Sequence, residues 1–491
     1  MNELPDGWCA VSLGEIADFN PGIDKDALSP DELVPFVPMH AVEAKTGRID
    51  TSERRPFSKV KSGFTSFATG DVLFAKITPC MENGKMAIVP PLPKSIGFGT
   101  TEFHVLRPRG GVDPRLLYYF VSSSALRHEA QHHMTGAVGQ KRVPRRFLEA
   151  KQFRLPPLAE QERIVEKIET LFSELDKGEE TLRAVQELLA RYRKSVLKAA
   201  VTGALTADWR AANGTHAETG NKLLNRILKH RRETWQGRGR YADPVAPDIR
   251  GLPPLPDGWA WASLDQLVSH LTSGSRDWKQ YYGRGSGTFI MAQNVRPMHF
   301  DLSDRFRVDP PKDGPDAKRS EVRKNDLLIT IVGANTGDVC LFPLDVGEHY
   351  VCQSVALMRL ATPELASFVE LFLSGKGAGR DQLEKHIYGA GRPHLGFEQL
   401  RSVSIPLPPP SETIELMERV VALLSNLGRV EDACREGAMR SAALRQSILK
   451  DAFTGKLVPQ DPADEPAEAL LARIVASRDA VSRRARKKAK A

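Results

Sequence analysis

His128-Glu129-Ala130-Gln131-His132 has the spacing of a zinc metalloprotease motif. On a helix, positions four apart share a face, so two imidazoles could grip a zinc while Glu129 activates its water. No third ligand is announced downstream, and an exposed polar helix end accounts for the same residues. A zinc metalloprotease working through His128, Glu129 and His132 stands as the remote alternative. Gly283-Arg284-Gly285-Ser286-Gly287 could cradle a phosphate, but it lacks the spacing of the common nucleotide fingerprints and predicts a flexible loop. Asp316, Glu321 and Lys324 imitate a nuclease carboxylate cluster poorly, because they sit in a charged, loop-like stretch. With no Walker A motif and no methyltransferase or nuclease site, the chain reads as a non-catalytic binder. No catalytic residue, metal site or cofactor site is assigned to it.

The remaining polar clusters suit recognition. Lys76, Thr78, Glu82, Asn83 and Lys85 crowd a turn that follows an apolar run. Lysine and arginine meet guanine edges or phosphates, asparagine matches adenine, and carboxylates accept from cytosine. Further on, Gly333-Ala334-Asn335-Thr336-Gly337 follows the corresponding run, and Gln140, Lys141 and Arg142 correspond to Gly391, Arg392 and His394. Lys76, Thr78, Glu82, Asn83, Lys85, Gln140, Lys141 and Arg142, with Asn335, Thr336, Arg392 and His394, are the candidate DNA-contacting residues.

Those loops lie on a duplicated frame. Leu4-Pro5-Asp6-Gly7-Trp8 returns as Leu255-Pro256-Asp257-Gly258-Trp259, and Ser195-Val196-Leu197-Lys198 returns as Ser447-Ile448-Leu449-Lys450. Asp71–Ile77 and Asp326–Val332 read as buried strands, Thr101–Leu106 and Val351–Leu360 as further strands. Arg115–His132 and Glu364–Lys385 read as helices, the second broken by glycines.

Each globule gives way to a coiled-coil seam. Ile164, Ile168, Leu171, Leu175, Leu182, Val185, Leu189, Tyr192 and Val196 recur at spacings of three and four, with a gap at Gly178. The second copy carries Leu416, Val420, Leu423, Leu427, Leu444 and Ile448 in the same register, with Val430, Cys434, Gly437 and Ser441 between. A long amphipathic helix needs a partner for its stripe, and the shortest path through the linker predicts antiparallel pairing of the two. Leu223-Leu224-Asn225-Arg226-Ile227 resembles Leu470-Leu471-Ala472-Arg473-Ile474, so the linker and the carboxy-terminal segment form equivalent surfaces.

Lys and Arg number 69 against 61 Asp and Glu, a net charge of +8, which permits a polyanionic partner. Arg483, Arg484, Arg486, Lys487, Lys488 and Lys490 read as a solvated basic tail. Five scattered cysteines without a CxxC pair fit a reducing compartment. No apolar run reaches the length of a membrane span, and the first residues show no secretory pattern, so a cytoplasmic protein is expected.

The chain resembles the specificity subunit of a type I restriction-modification system. The resemblance rests on the repeated LPDGW start, the Phe74–Cys80 and Glu82–Lys85 run, Thr101-Glu102-Phe103, Gly139–Pro144, Pro156–Gln161 and Thr454–Pro459. Pro410-Ser411-Glu412 departs from Leu158-Ala159-Glu160 at the second helix start. The resemblance implies an α+β chain: a tandem duplication of a mixed α/β target-recognition domain, each copy followed by a long helix. The segments are 1–155, first target-recognition domain; 156–206, first spacer helix; 207–254, linker with a short helix; 255–407, second target-recognition domain; 408–456, second spacer helix; and 457–491, docking segment and tail. The implied partners are double-stranded DNA with a bipartite asymmetric target, two methyltransferase subunits and the restriction subunits. S-adenosylmethionine, ATP and magnesium are expected on those partner subunits. A coiled-coil scaffold or adaptor that never touches nucleic acid is the alternative.

Overall fold

The computed structural model describes residues 4–137, 139–214, 217–235, 239–274 and 278–488, with side chains through residue 479. The chain divides into two compact units, one of residues 1–183 with 435–491 and the other of residues 184–434.

In the first unit the strand Cys9–Ser12 pairs antiparallel with Gln152–Leu155, closing the globule at the point where the chain leaves it. Four antiparallel strands follow in the order Ala17–Phe19, Phe103–Pro108, Val72–Ala75, Met86–Ile88. A second sheet, ordered Arg54–Pro56, Leu33–Val37, Ile96–Gly99, Thr65–Ala68, contains one parallel pair. The second unit repeats the closing pair as Ala260–Ser263 with Ser404–Leu407. It repeats the antiparallel sheet in the same order, as Val268–Ser273, Val355–Leu360, Leu327–Thr330, Val339–Leu341. It also has a three-stranded sheet, Phe306–Val308, Tyr282–Ile290 and His349–Val351, and a two-stranded one, Val295–Arg296 with His299–Phe300. The duplication is therefore close in the closing pair and the four-stranded antiparallel sheet, and loose in the remaining sheets.

Repeated polar contacts pin the repeated frame. Asp71, buried in the turn before its strand, takes both arms of Arg107 at 2.8 Å, and Asp326 takes Arg359 at 2.8 and 2.6 Å. Ser12 and Glu15 form a capping box on the first short helix, and Ser263 and Gln266 form its counterpart. The indole N–H of Trp8 donates to buried Glu160 at 2.9 Å, and that of Trp259 to buried Glu412 at 2.9 Å.

Several predicted elements are divided. The helix expected over Arg115–His132 is two helices, Pro114–Ser122 and Ser124–His132, because the extended backbone of Ser123 breaks the first and its hydroxyl caps the second. Ala366–Ser374 and Gly379–His386 are likewise separate, and His349–Val351 and Val355–Leu360 are two strands. The glycine run 283–287, expected as a loop, lies in the strand Tyr282–Ile290, where a register shift between Tyr282 and Gly287 absorbs it as a bulge.

The long helices are Leu158–Val201 and Pro410–Phe453, and they run antiparallel. In the first unit Ile164, Val165 and Ile168 share a core with Leu449 and Ala452. In the second, Leu416 and Val420 share one with Ala200 and Val201. Arg445 pairs with Glu179 at 3.2 Å and Arg193 with Glu431 at 2.9 Å. Each pair is the other with its repeat-equivalent partners exchanged between copies.

Those pairs correct two seam positions. Tyr192 and Leu444 are 48% and 51% exposed. Arg193 and Arg445 instead reach across to a carboxylate on the opposite helix. Arg445 also lies 5.1 Å over the Phe172 ring. Val430 is off the seam for the same reason, with Glu431 in its place. Ile164, Ile168, Val196, Leu416, Val420 and Leu427 are buried, while Leu171, Leu175, Leu182, Val185, Leu189, Leu423 and Ile448 are half-buried.

The linker helix Gly220–Glu233 buries Leu223 and Ile227 in the second unit's core, and the helix Ala467–Lys488 buries Leu470 and Ile474 in the first. Gly220 donates to the Gly258 carbonyl at 2.7 Å and Ala467 to the Gly7 carbonyl at 2.8 Å, so both dock on the repeated start of a globule. Leu223, Ile227, Leu470 and Ile474 are thus engaged within the chain, while the polar side chains Arg226, Lys229, Arg473 and Arg478 face outward. The backbone helix reaches Lys488, and the side chains of the basic tail lie outside the described residues.

The matched buried glutamates differ in company. Glu412 meets Trp259, Thr206 and the guanidinium of Arg210, whereas Glu160 meets Trp8 and the uncharged amide of Gln460 at 3.3 Å. Burial pushes the Glu160 carboxyl above the usual range, the hydrogen bonds from Trp8 and Gln460 opposing it. A carboxylate raised on folding gives full stability below its unfolded pKa and loses stability as pH climbs from the ordinary carboxylate range through the raised folded value. Thermal melts from about pH 4 to about pH 7 are expected to show this decline in the wild type and a shallower one in E160Q. Superimposable profiles would refute the assignment.

Candidate nucleic-acid interface

The first candidate loop runs from the end of Val72–Ala75 into Met86–Ile88 and is held by its own backbone. Met81 donates to the Ile77 carbonyl at 3.0 Å, Asn83 to Pro79 at 2.9 Å and Lys85 to Cys80 at 3.0 Å. Gly84 makes the last turn at φ 76°, a conformation that L side chains rarely adopt, with Lys45 and Arg127 close beside it. Arg127 donates to the Glu82 carbonyl at 2.6 Å and to the Ser122 carbonyl at 3.1 Å. The helix carrying His128 and His132 therefore serves to brace this loop. His128 and His132 are exposed with rings 4.7 Å apart, and Glu129 is salt-bridged to Lys151. Among the described residues no group of three metal-ligating side chains gathers.

Residues 141–143 lie against the start of this loop. Lys76 donates to the Glu102 carbonyl at 2.9 Å, Val143 to Lys76 at 2.8 Å and Thr78 to Lys141 at 3.0 Å. Arg142 and Thr135 exchange backbone hydrogen bonds at 2.8 and 3.0 Å. The second unit reproduces all five. Ile331 donates to Ser354 at 2.8 Å, Leu395 to Ile331 at 2.9 Å, Gly333 to Pro393 at 3.0 Å, and His394 and Tyr388 exchange bonds at 2.8 and 3.0 Å. The frame places Ile331 where the first unit has Lys76, Ser354 where it has Glu102, and His394 where it has Arg142.

The side chains on this common frame are unlike. In the first unit Arg142 forms a two-pronged pair with Glu102 at 2.9 and 2.8 Å, and a further arm reaches the Gln140 carbonyl at 3.1 Å. Arg142 holds the Glu102 carboxyl below the usual range, and burial lowers Lys76, with Glu102 opposing. Buried His104 bonds the Val143 carbonyl at 2.9 Å, tying this strand to the sheet, and its pKa is lowered by burial. In the second unit His394 stacks on exposed Tyr388 with ring centroids 6.0 Å apart.

The candidate residues divide by what already engages them. Asn83, Gln140, Lys141 and Arg392 are exposed, and Asn335 is half-buried. Thr78 donates to Glu82 at 3.1 Å, and the Lys85 ammonium to the Met39 carbonyl at 3.0 Å. Thr336 is buried, its hydroxyl bonded to the Gly333 carbonyl at 2.7 Å, so it shapes the loop. Sequence reasoning passed over Glu102, His104, Tyr388 and Ser354. Glu102 stood only as part of the Thr101-Glu102-Phe103 motif, with no contact role assigned to it.

A duplicated sheet frame that presents unlike polar loops, with paired helices completing each copy, defines a tandem-repeat α+β protein. Residues 5–184 match the family model of the type I restriction modification DNA specificity domain. Over 92% of its length the chain is 29% identical to the EcoAI type I restriction enzyme specificity subunit of Escherichia coli, of which it covers 82%. It is 24% identical to the EcoKI specificity subunit of Escherichia coli K12 over 97% of both chains. The fold matches the HsdS subunit from Thermoanaerobacter tengcongensis at a TM-score of 0.53, with 21% identity over 93% of this chain and 98% of that one. A chain solved in work on assembly and conformational transition of the type I R-M system matches at 0.64, with 21% identity over 93% of this chain and all of the other, 100%. Residues 5–184 thus carry the type I restriction modification DNA specificity domain, and over most of its length the chain is similar to type I specificity subunits, the resemblance its motifs indicated. No helix among the described residues is long and apolar enough to cross a membrane.

Proposed function

We infer that this chain is the non-catalytic DNA-reading subunit of a type I restriction-modification complex, working in the cytoplasm. Each globule reads one half of a split, asymmetric target, and the chain directs two methyltransferase subunits and the restriction subunits to it. The observation that carries the reading is the shared five-bond frame bearing Lys76, Glu102 and Arg142 in one copy and Ile331, Ser354 and His394 in the other. Equal scaffolds with unequal side chains suit two unequal half-sites, phosphate contacts supplying affinity and loop side chains the choice of base.

The chain's own residues provide binding and orientation. S-adenosylmethionine, ATP and magnesium belong on the partner subunits in this reading, and docking of those subunits falls to the outward polar faces of the linker helix and its carboxy-terminal counterpart. The adaptor reading shares the paired helices but gives no reason for the unlike loops. Titration of the chain, with its methyltransferase partner, against random-sequence duplex DNA separates the two. A log affinity that falls linearly with log salt is expected, and absence of salt-dependent binding would favour the adaptor.

A further inference from the structure

We propose that Glu102 is a specificity-determining residue that gates Arg142, lowering the first recognition domain's attachment to arbitrary DNA. The inference rests on the DNA-reading function above and deepens it. Arg142 offers the planar fork that fits a guanine edge or a phosphate, and in this structure Glu102 occupies that fork through both carboxylate oxygens at 2.9 and 2.8 Å. Glu102 is held in place by the chain itself. Its carbonyl accepts from Lys76 at 2.9 Å, and its own N–H donates to the Thr100 hydroxyl at 3.3 Å.

The pair is accessible enough to open, with side chains 42% exposed at Arg142 and 23% at Glu102. A half-exposed ion pair contributes little net stability, so a well-placed ligand can displace the carboxylate. An isolated phosphate must compete with a tethered anion that is always present, whereas a correct half-site brings its other contacts at the same moment. Glu102 also offsets one of the two cations at this spot, Lys76 and Arg142. The second unit has no such arrangement, since Ser354 and His394 stand at the matching positions. The gate is therefore a property of one half-site only.

The test compares wild type, E102Q, R142A and E102Q/R142A as full chains with the methyltransferase partner, each titrated with random-sequence duplex DNA over a salt series. E102Q keeps a hydrogen-bond acceptor but removes the charge. It is expected to bind random duplex about threefold to tenfold more tightly, with a log-log salt slope steeper by about 0.9, the value for one additional phosphate contact. Affinity for the methylated target sequence should rise less, so discrimination falls. E102Q/R142A should match R142A, because the gate acts through Arg142, and E102D should keep the wild-type slope. Unchanged or weaker random binding by E102Q, or a gain that persists without Arg142, would overturn the gate while leaving DNA reading intact. Absence of salt-dependent DNA binding by the wild type would overturn the DNA-reading function and the gate with it.

Discussion

Replacement of Glu412 by alanine is expected to destabilise the second unit by about 3–5 kcal/mol, the usual result of removing one partner from a buried ion pair. Glu412 is fully buried, and its carboxylate takes Arg210 at 2.6 Å, the Thr206 hydroxyl at 2.7 Å and the Trp259 indole at 2.9 Å. Alanine leaves the Arg210 guanidinium, whose side chain is only 17% exposed, without its countercharge. The contact also carries architecture. It joins the start of the second long helix, the repeated tryptophan at the entry of the globule and the segment that follows the first long helix. E160A supplies the internal comparison. The partners of Glu160 are Trp8 and Gln460, so its removal strands no charge and should cost about 1–3 kcal/mol. Urea denaturation of both variants measures the difference, and equal losses would show that the Arg210 charge contributes nothing.

The second large effect concerns readout. Asn83→Ala and Asn335→Ala are each expected to cost about 1–3 kcal/mol of discrimination at one half-site and to leave the other unaltered. Asn83 is exposed on a loop whose shape depends on backbone bonds, including its own N–H to the Pro79 carbonyl at 2.9 Å. Truncation therefore removes a reader without collapsing the loop. Asn335 lies on the corresponding loop of the second unit, where its carbonyl accepts from Asp338 at 3.0 Å. Binding to duplexes with single base changes in either half-site measures the effect. Losses spread over both halves would mean that the loops do not read bases independently.

The repeat made much of this fold legible. Duplicate starts, duplicate apolar runs and two long seams each correspond to a strand pair, a sheet or a helix. Antiparallel pairing followed from chain path alone. Local pattern failed where a charged residue took an apolar role. Arg193 and Arg445 carry no apolar signal, yet each reaches a glutamate on the opposite helix across the seam. Tyr192 and Leu444, one position earlier, were thereby displaced outward. The glycine run at 283–287 failed differently, since a bulged strand tolerates glycine as well as a loop does.

The candidate interface was legible as a set of loops but not as a set of pairings. The contact between Glu102 and Arg142 joins residues separated by 40 positions, and no spacing rule connects them. The correspondence of Arg142 with His394 was readable by alignment of the two halves. That of Lys76 with Ile331 and of Glu102 with Ser354 required the backbone hydrogen bonds. Shared architecture is thus recorded in what the halves have in common, and the readout in where they differ.

Methylation mapping across the genome of cells carrying the complete system tests the central claim most directly. One methylated motif is expected, composed of two different short half-sites separated by a run of unspecified bases, with a modified base in each half. A continuous motif, two identical half-sites, or methylation that does not depend on this chain would contradict it.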